Sequence, residues 1–371
     1  MSNKNSYPVA VVGAGKIGQM ITRLLSNSGD YHVTLIDQDQ AALDKLADWQ
    51  HVSCRQVDVQ ADGELEAALA GQMALLNATP YFLTERIATA ARHVGLHYLD
   101  LTEDVRSTEK VKELAKGASQ AFIPQCGLAP GFISIVTHDI ASQFDSLDTV
   151  RMCVGALPQF PSNSLNYNLT WSTDGVINEY CEPCVAIQSG ELVTVPALEQ
   201  LERFSLDGIS YESFNTSGGI GTLAETWLGK VRHLSYQTIR YPGHRDIMKT
   251  LLHDLGLRDQ RQLLREVLEN AVPATMQDVV LVFVTVSGRK DGRLMQETYA
   301  NKIYSAEVGG EFCSAIQITT AAGICAVLDL LLSGSLPQQG FVKQEEIPLA
   351  TFLGNRFGAY YATPQIKDEA A

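Results

Sequence analysis

Val9-Ala10-Val11-Val12-Gly13-Ala14-Gly15-Lys16-Ile17-Gly18 reads as a buried strand that runs through G-x-G-x-x-G into a helix. The glycines have separate tasks in such a turn. Gly13 allows the tight bend, Gly15 lets the backbone approach a pyrophosphate, and Gly18 lets the helix lie close to the strand. Ala14, Lys16 and Ile17 belong to the same cradle, where free N–H groups and the positive end of the helix dipole meet phosphate. A second strand, His32 to Ile36, ends in Asp37, whose carboxylate can accept both ribose hydroxyls. Each feature has a plainer use, the glycines as a turn and Asp37 as a helix cap. Their order along the chain predicts a dinucleotide site. Gln38, Asp39 and Gln40 follow with no Arg or Lys to neutralise a 2′-phosphate, so the expected cofactor is NAD rather than NADP. Asp58 is a further candidate, at the adenine border. No second flavin-type motif follows.

Outward from this stretch, strand-like and helical runs alternate: Gln40 to Asp48, Met73 to Asn77, Thr84 to Val94, His97 to Leu101, Thr108 to Ala118 and Ala121 to Pro124. This rhythm indicates βαβ units and a parallel sheet. In such a sheet ligands lie beyond the carboxyl ends of the strands. The loops holding Ala78, Thr79, Pro80 and Tyr81, then Asp100, Thr102 and Glu103, and then Cys126 should therefore border the nicotinamide. After Gly127-Leu128-Ala129-Pro130-Gly131 the rhythm changes. A helix from about Phe132 to Gln143 leads to strands at Val150 to Val154, Asn166 to Thr170, Val279 to Val286 and Glu297 to Ile303, as in a mixed or antiparallel sheet. The expected fold class is α/β: an N-terminal Rossmann domain (a doubly wound parallel sheet) plus an α+β substrate domain. The expected division is residues 1–130, completed by about 311–371, and a substrate-binding and dimerisation domain at 131–310.

The composition narrows the partners. A formal net charge of -14 over 371 residues repels phosphate backbones and anionic lipid, which argues against nucleic acid and membrane partners. The apolar run Ile316 to Leu332 is short for a span and contains Asp329, which fits a buried helix. Seven scattered cysteines, an odd number, suit free thiols in a reducing compartment, and no export signal precedes the first strand. The cytoplasm is the expected location. Cys181-Glu182-Pro183-Cys184 is a lone C-x-x-C without partner ligands, so no metal is expected. Ile366 to Ala371 reads as a frayed polar tail.

Several segments together resemble the saccharopine dehydrogenase-like family. They are Gly127-Leu128-Ala129-Pro130-Gly131, Val154-Gly155-Ala156-Leu157-Pro158, Asn166-Tyr167-Asn168-Leu169-Thr170-Trp171-Ser172 and Thr238-Ile239-Arg240-Tyr241-Pro242-Gly243-His244. The resemblance covers nearly the whole chain in the same order, and the Arg240 to His244 form is most similar to the lysine 6-dehydrogenases within that family. It implies NAD-dependent oxidation at the amine-bearing ε carbon of L-lysine to give 2-aminoadipate 6-semialdehyde, and a homodimer formed through the second domain.

Hydride leaves an amine-bearing carbon only when the nitrogen lone pair is free, so an ammonium substrate must first lose a proton to a base. Asp100, Glu103, Tyr81 and His244 are the candidates. Asp100 and Tyr81 are preferred because the Rossmann topology carries their loops to the nicotinamide. A substrate carboxylate calls for a fixed guanidinium, and Arg240 is the expected clamp. Tyr167 and Trp171 could wall an aliphatic stem. Asn166, Ser172, Thr102 and Thr222 are candidate polar contacts, and Ser217-Gly218-Gly219 forms a turn that a ligand could approach. Two other readings stay open: a glutamate-forming saccharopine dehydrogenase, whose substrate has three carboxylates, and a regulator that binds NAD without turnover.

Overall fold

The computed structural model describes residues 6–362, and the tail expected at Ile366–Ala371 lies outside them. Six strands form the first sheet: β1 (Tyr7–Val12), β2 (Tyr31–Asp37), β3 (Val52–Gln56), β4 (Ala74–Asn77), β5 (His97–Asp100) and β6 (Ala121–Ile123). They lie in the order β6-β5-β4-β1-β2-β3, all parallel, with the two-residue strand Gly340–Phe341 added beside β6. Val9 to Val12 are fully buried because helices cover both faces, so β1 is continuously apolar rather than alternating. The helix expected at residues 108–118 starts earlier, at Val105, where the Asp104 carboxylate accepts the Ser107 N–H at 2.7 Å. That cap overrides the later apolar phase.

The second sheet is mixed. Its strands are β7 (Ser146–Pro158), β8 (Cys184–Gln188), β9 (Glu191–Val195), β10 (Glu202–Leu206), β11 (Ile209–Asn215), β12 (Val231–Arg240), β13 (Asp278–Lys290) and β14 (Arg293–Tyr304). The main order is β10-β11-β12-β7-β13-β14, with β12 parallel to β7 and the other neighbours antiparallel. The strand expected at Asn166 to Thr170 is not formed. Asn166 has a φ of 50° and Leu169 makes one isolated bridge to Ala274, so the polar alternation there belongs to an irregular segment.

Two apolar helices join the layers. Phe132–Ala141 packs on β7 and β13, and Ala315–Leu332 lies between the first-domain helix Lys16–Asn27 and strands β13 and β14. The latter is long and apolar enough to cross a membrane, yet 78% of it is buried inside the protein. Ser314 and Gln317 form a capping box at its start, and Asp278, the first residue of β13, accepts the N–H groups of Ala315 and Ile316 at 2.5 and 3.1 Å. An acid from the second sheet therefore holds the positive end of a helix that packs on the first domain.

Candidate active site

The glycine turn has the stereochemistry that nucleotide binding requires. Gly13 has a φ of +103°, and a Cβ there would lie 2.8 Å from the Ala78 carbonyl oxygen. A Cβ on Gly18 would lie 1.7 Å from the Gly13 carbonyl oxygen, whereas one on Gly15 would meet nothing within 4 Å. Gly13 and Gly18 are thus fixed by the protein's own packing. Gly15 leaves open space at the N-cap of the helix Lys16–Asn27, where pyrophosphate is expected. Lys16 is exposed and Ile17 half-buried there.

The Asp37 carboxylate accepts the Ala14 N–H at 2.6 Å and the Asp39 N–H at 2.9 Å. Each oxygen keeps a further lone pair for a ribose hydroxyl. Asp58 is exposed and closes a turn by accepting the Gln60 N–H at 2.9 Å. Ala78 is tied to Val12 through its N–H, and Thr79 bonds to the Asn77 side chain, which presents Pro80 at the surface. These residues border the crevice beyond β1 and β4.

Beyond the ends of β5 and β6 the second domain closes a small cavity of about 100 Å³. Its apolar wall includes Leu128, Val154, Ala156, Trp171 and Ile316; its charged groups are Glu103, Glu179 and Arg240. Glu179 stands on the helix Thr173–Cys181, whose start Ser172 caps by accepting the Gly175 N–H at 3.1 Å. Only 6% of Glu179 is exposed, and its carboxylate makes neither a hydrogen bond nor an ion pair among the described residues. Burial, reinforced by the Glu103 charge, pushes it up to about 8. Burial likewise pushes Glu103 up to about 7. Two carboxyls that ionise near neutrality in one enclosed space can accept and release protons.

Arg240 is 2% exposed. Its Nε donates to the Tyr180 hydroxyl at 3.0 Å and its Nη1 to the Ile239 carbonyl at 2.8 Å. Its guanidinium carbon lies 5.2 Å from the centre of the Tyr167 ring. Nη2 has no protein partner among the described residues.

Three expected catalytic residues, Asp100, Tyr81 and His244, do not line this cavity. Asp100 is buried and does not line the cavity. Its Oδ1 accepts the Thr102 and Gln125 N–H groups at 3.0 and 2.9 Å, so it organises the loops that present Glu103. Burial lifts it to about 6, and only 1% of it is exposed. Tyr81 lies in an adjoining cleft of about 480 Å³ with Phe82, Ser107 and Arg261, and burial raises its pKa. His244 is buried with both ring nitrogens engaged, by Tyr180 at 3.0 Å and the Leu165 carbonyl at 2.9 Å. It therefore stands behind Arg240 and cannot receive a substrate proton.

The small polar residues serve the fold. Thr222 donates to buried Glu345 at 2.7 Å, Ser172 is the helix cap, Asn166 donates to the Pro242 carbonyl at 3.3 Å, and buried Thr102 accepts the Asp104 N–H at 3.2 Å. Tyr167 backs Arg240 rather than touching the cavity, while Trp171 is in its wall. The glycines at 218 and 219 make room for the protein itself: a Cβ would lie 2.4 Å from the Glu103 carbonyl at the first and 2.1 Å from the Tyr236 ring at the second. Glu179 was not among the sequence candidates. The signal it left is weak: an acid in a short helix that also carries Asp174 and Asn178.

The architecture is that of a two-domain α/β protein in which a mixed-sheet domain closes a charged cavity over the mouth of a Rossmann-like crevice. Two family profiles match it, the saccharopine dehydrogenase NADP binding domain over residues 9–123 and the saccharopine dehydrogenase C-terminal domain over residues 127–355. The chain belongs to the saccharopine dehydrogenase family, whose members are NAD(P)-dependent oxidoreductases acting on CH–NH donors.

Among its relatives, the mitochondrial alpha-aminoadipic semialdehyde synthase of Mus musculus is 20% identical over 82% of this chain and 34% of its own length. The saccharopine dehydrogenase [NADP(+), L-glutamate-forming] of Pyricularia oryzae is 22% identical over 75% of this chain and 66% of its own. The chain thus spans about a third of one curated relative and just under two thirds of the other. Apo saccharopine dehydrogenase (L-Glu forming) from Saccharomyces cerevisiae has the same fold, with a TM-score of 0.76 at 16% identity over 92% of this chain and 94% of that one. The homospermidine synthase of Legionella pneumophila in complex with NAD superposes with a TM-score of 0.69 at 13% identity, over 96% and 89% of the two chains.

Proposed function

We propose that the protein is an NAD-dependent amine dehydrogenase that oxidises the ε carbon of L-lysine, giving 2-aminoadipate 6-semialdehyde. The observation that carries this reading is the unpaired, buried carboxylate of Glu179, in one cavity with Glu103 and Arg240. A buried acid without a partner costs stability, and a cationic substrate removes that cost. The cavity offers a place for an ammonium at the two glutamates, a carboxylate at Arg240 and an aliphatic stem along Val154, Ala156 and Trp171.

Gly13, Gly15, Gly18 and Asp37 would hold the cofactor, and the exposed residues after Asp37 bring no cation to a 2′-phosphate, which supports NAD. When bound, that cofactor would supply the acceptor for hydride from the amine-bearing carbon. The protein's part begins earlier. Glu179 or Glu103 receives a proton from the ammonium and thereby frees the nitrogen lone pair. Arg240 fixes the distal end, so that the ε carbon rather than the α carbon faces the Rossmann mouth. Apolar walls exclude bulk water during that step. The resulting imine takes up water and releases ammonia, with a glutamate returning the proton.

Glutamate-forming saccharopine cleavage is the second reading. Arg106, Lys110 and Arg261 line the adjoining cleft, where they could meet the carboxylates of a longer substrate, and the curated relatives support it by name. Following NADH or NADPH absorbance with purified protein, either nucleotide, and lysine or saccharopine separates the readings. Signal with lysine alone supports the first, and signal with saccharopine alone supports the second. With neither, the NAD-binding regulator is left. Seven free thiols, six of them buried, support the cytoplasm as the place of action. The exposed edge of β14, where Leu294 is 80% exposed, supports a homodimer through the second domain, which light scattering would test.

A further inference from the structure

We infer that Tyr180 and His244 are positioning residues that hold Arg240 away from Glu179, so that the cavity keeps an open guanidinium and an unpaired carboxyl group for its substrate. The inference rests on the proposed reading in one respect, that Arg240 receives a carboxylate. Neither Tyr180 nor His244 lines the cavity.

The direction of every proton in this chain follows from its far end. His244 Nδ1 lies 2.9 Å from the Leu165 carbonyl oxygen, which can only accept, so Nδ1 carries hydrogen. The ring is neutral: burial, with the Arg240 charge beside it, brings its pKa down to about 3. Nε2 is therefore an acceptor, and Tyr180, 3.0 Å away, donates to it. The Tyr180 oxygen then presents a lone pair to the Arg240 Nε hydrogen at 3.0 Å. The opposite tautomer would leave the Tyr180 hydroxyl hydrogen without an acceptor and set the Nδ1 lone pair against the Leu165 carbonyl oxygen. Only one pattern satisfies all four residues.

Aromatic packing holds the chain laterally. The His244 ring centre is 5.2 Å from that of Tyr167 and stacks at 12° over Phe214, and the Arg240 guanidinium lies 5.9 Å from the Tyr180 ring centre. What remains open among the described residues is Nη2 of Arg240, since Nη1 donates to the Ile239 carbonyl.

This fastening matters because Arg240 and Glu179 share one small cavity and influence each other's charge, yet form no ion pair among the described residues. A free arginine has about 2 kcal/mol of side-chain rotamer entropy and a strong preference for carboxylates. Released from Nε, it would turn to Glu179 and neutralise both poles that a zwitterionic substrate needs. The anchor at Tyr180 prevents that collapse.

The test uses the full-length protein with saturating NAD and compares L-lysine with 1,5-diaminopentane, which lacks the carboxylate. Tyr180→Phe, which preserves the ring, is expected to raise KM for lysine roughly tenfold, because both of its poles then meet occupied groups, and to raise KM for the diamine by less, because only its ammonium contact is lost. His244→Leu should reproduce this pattern. His244→Gln, which supplies both an acceptor and a donor, should restore most of the lysine KM. A crystal structure of Tyr180→Phe should show Arg240 paired with Glu179.

The inference is overturned if Tyr180→Phe has the wild-type lysine KM while Arg240→Ala does not, or if both substrates suffer equally. If the wild-type protein oxidises neither amine, the proposed reading fails separately. The crystal structure then decides alone, and Arg240 unmoved in Tyr180→Phe overturns the inference.

Discussion

The Asp37 carboxylate accepts the Ala14 amide hydrogen at 2.6 Å, so the acid ending β2 and the glycine turn ending β1 form one unit. Replacing the acid should disturb both ribose capture and the phosphate cradle. Asp37→Ala is expected to weaken NAD by roughly 10- to 100-fold, the worth of one or two charged hydrogen bonds. Adding Gln38→Arg should then invert the preference toward NADP. The measurement is the ratio of kcat/KM for the two nucleotides, and an unchanged ratio in the double variant would remove Asp37 from the ribose site.

Gly15 and Gly18 make a paired control. Gly15 has room for a methyl group, so Gly15→Ala should melt within a degree or two of wild type yet lose nucleotide affinity, because the methyl occupies the phosphate approach. Gly18→Ala would place its Cβ 1.7 Å from the Gly13 carbonyl oxygen, an overpacking that costs ~1–3 kcal/mol. Thermal melts with calorimetric NAD titration check both. Equal loss of affinity without destabilisation in the two variants would contradict the assignment.

The pH dependence of stability should expose Glu179. In the unfolded chain its carboxyl ionises near the ordinary value of 4.5, whereas in the native protein it keeps its proton to about 8. The native state therefore binds more protons than the unfolded state across that window, so the stability present below pH 4.5 is lost as pH rises through 8. Glu179→Gln, neutral throughout, should melt above wild type at pH 8 and level with it near pH 4.5. Its kcat/KM for the amine should fall by roughly 10²–10⁴, as for removal of a proton acceptor. Parallel melting curves at the two pH values would show that Glu179 ionises normally.

Asp278 is fully buried and holds two N–H groups of the helix Ala315–Leu332. Asp278→Ala leaves both donors without a partner, and the expected destabilisation is ~1–3 kcal/mol. Urea unfolding monitored by tryptophan fluorescence would measure it. A wild-type midpoint would mean that Ser314 and Gln317 cap the helix unaided.

The nucleotide half was legible because its signals are local: the turn chemistry of residues 13–18, the acid at 37 and the alternation of elements lie within short windows. Arg240 was singled out by residue type, and the structure brings it into the cavity. The proposed proton acceptor was not. Asp100 and Glu103 are on one loop, and sequence could not show that the first turns inward to Gln125 while the second faces the cavity. Glu179 sits on a helix most of whose residues are buried, and the helix packed against it, Arg261–Ala271, lies far along the chain. Thr222 has its partner at Glu345, a distance along the chain that no local pattern encodes. His244 was placed in the right neighbourhood, but its role turns on which atoms surround the ring.

The strand Gly340–Phe341 completes the edge of the first sheet, and Ala315–Leu332 covers one of its helices, although both follow the whole substrate domain in the chain. During synthesis, the half of the protein that emerges first must therefore wait with an apolar face uncovered until the final segments leave the ribosome. The substrate domain, though begun later, has all its own strands earlier than that. Order of translation and order of completion are reversed, and the interval between them is when this chain most needs protection from aggregation.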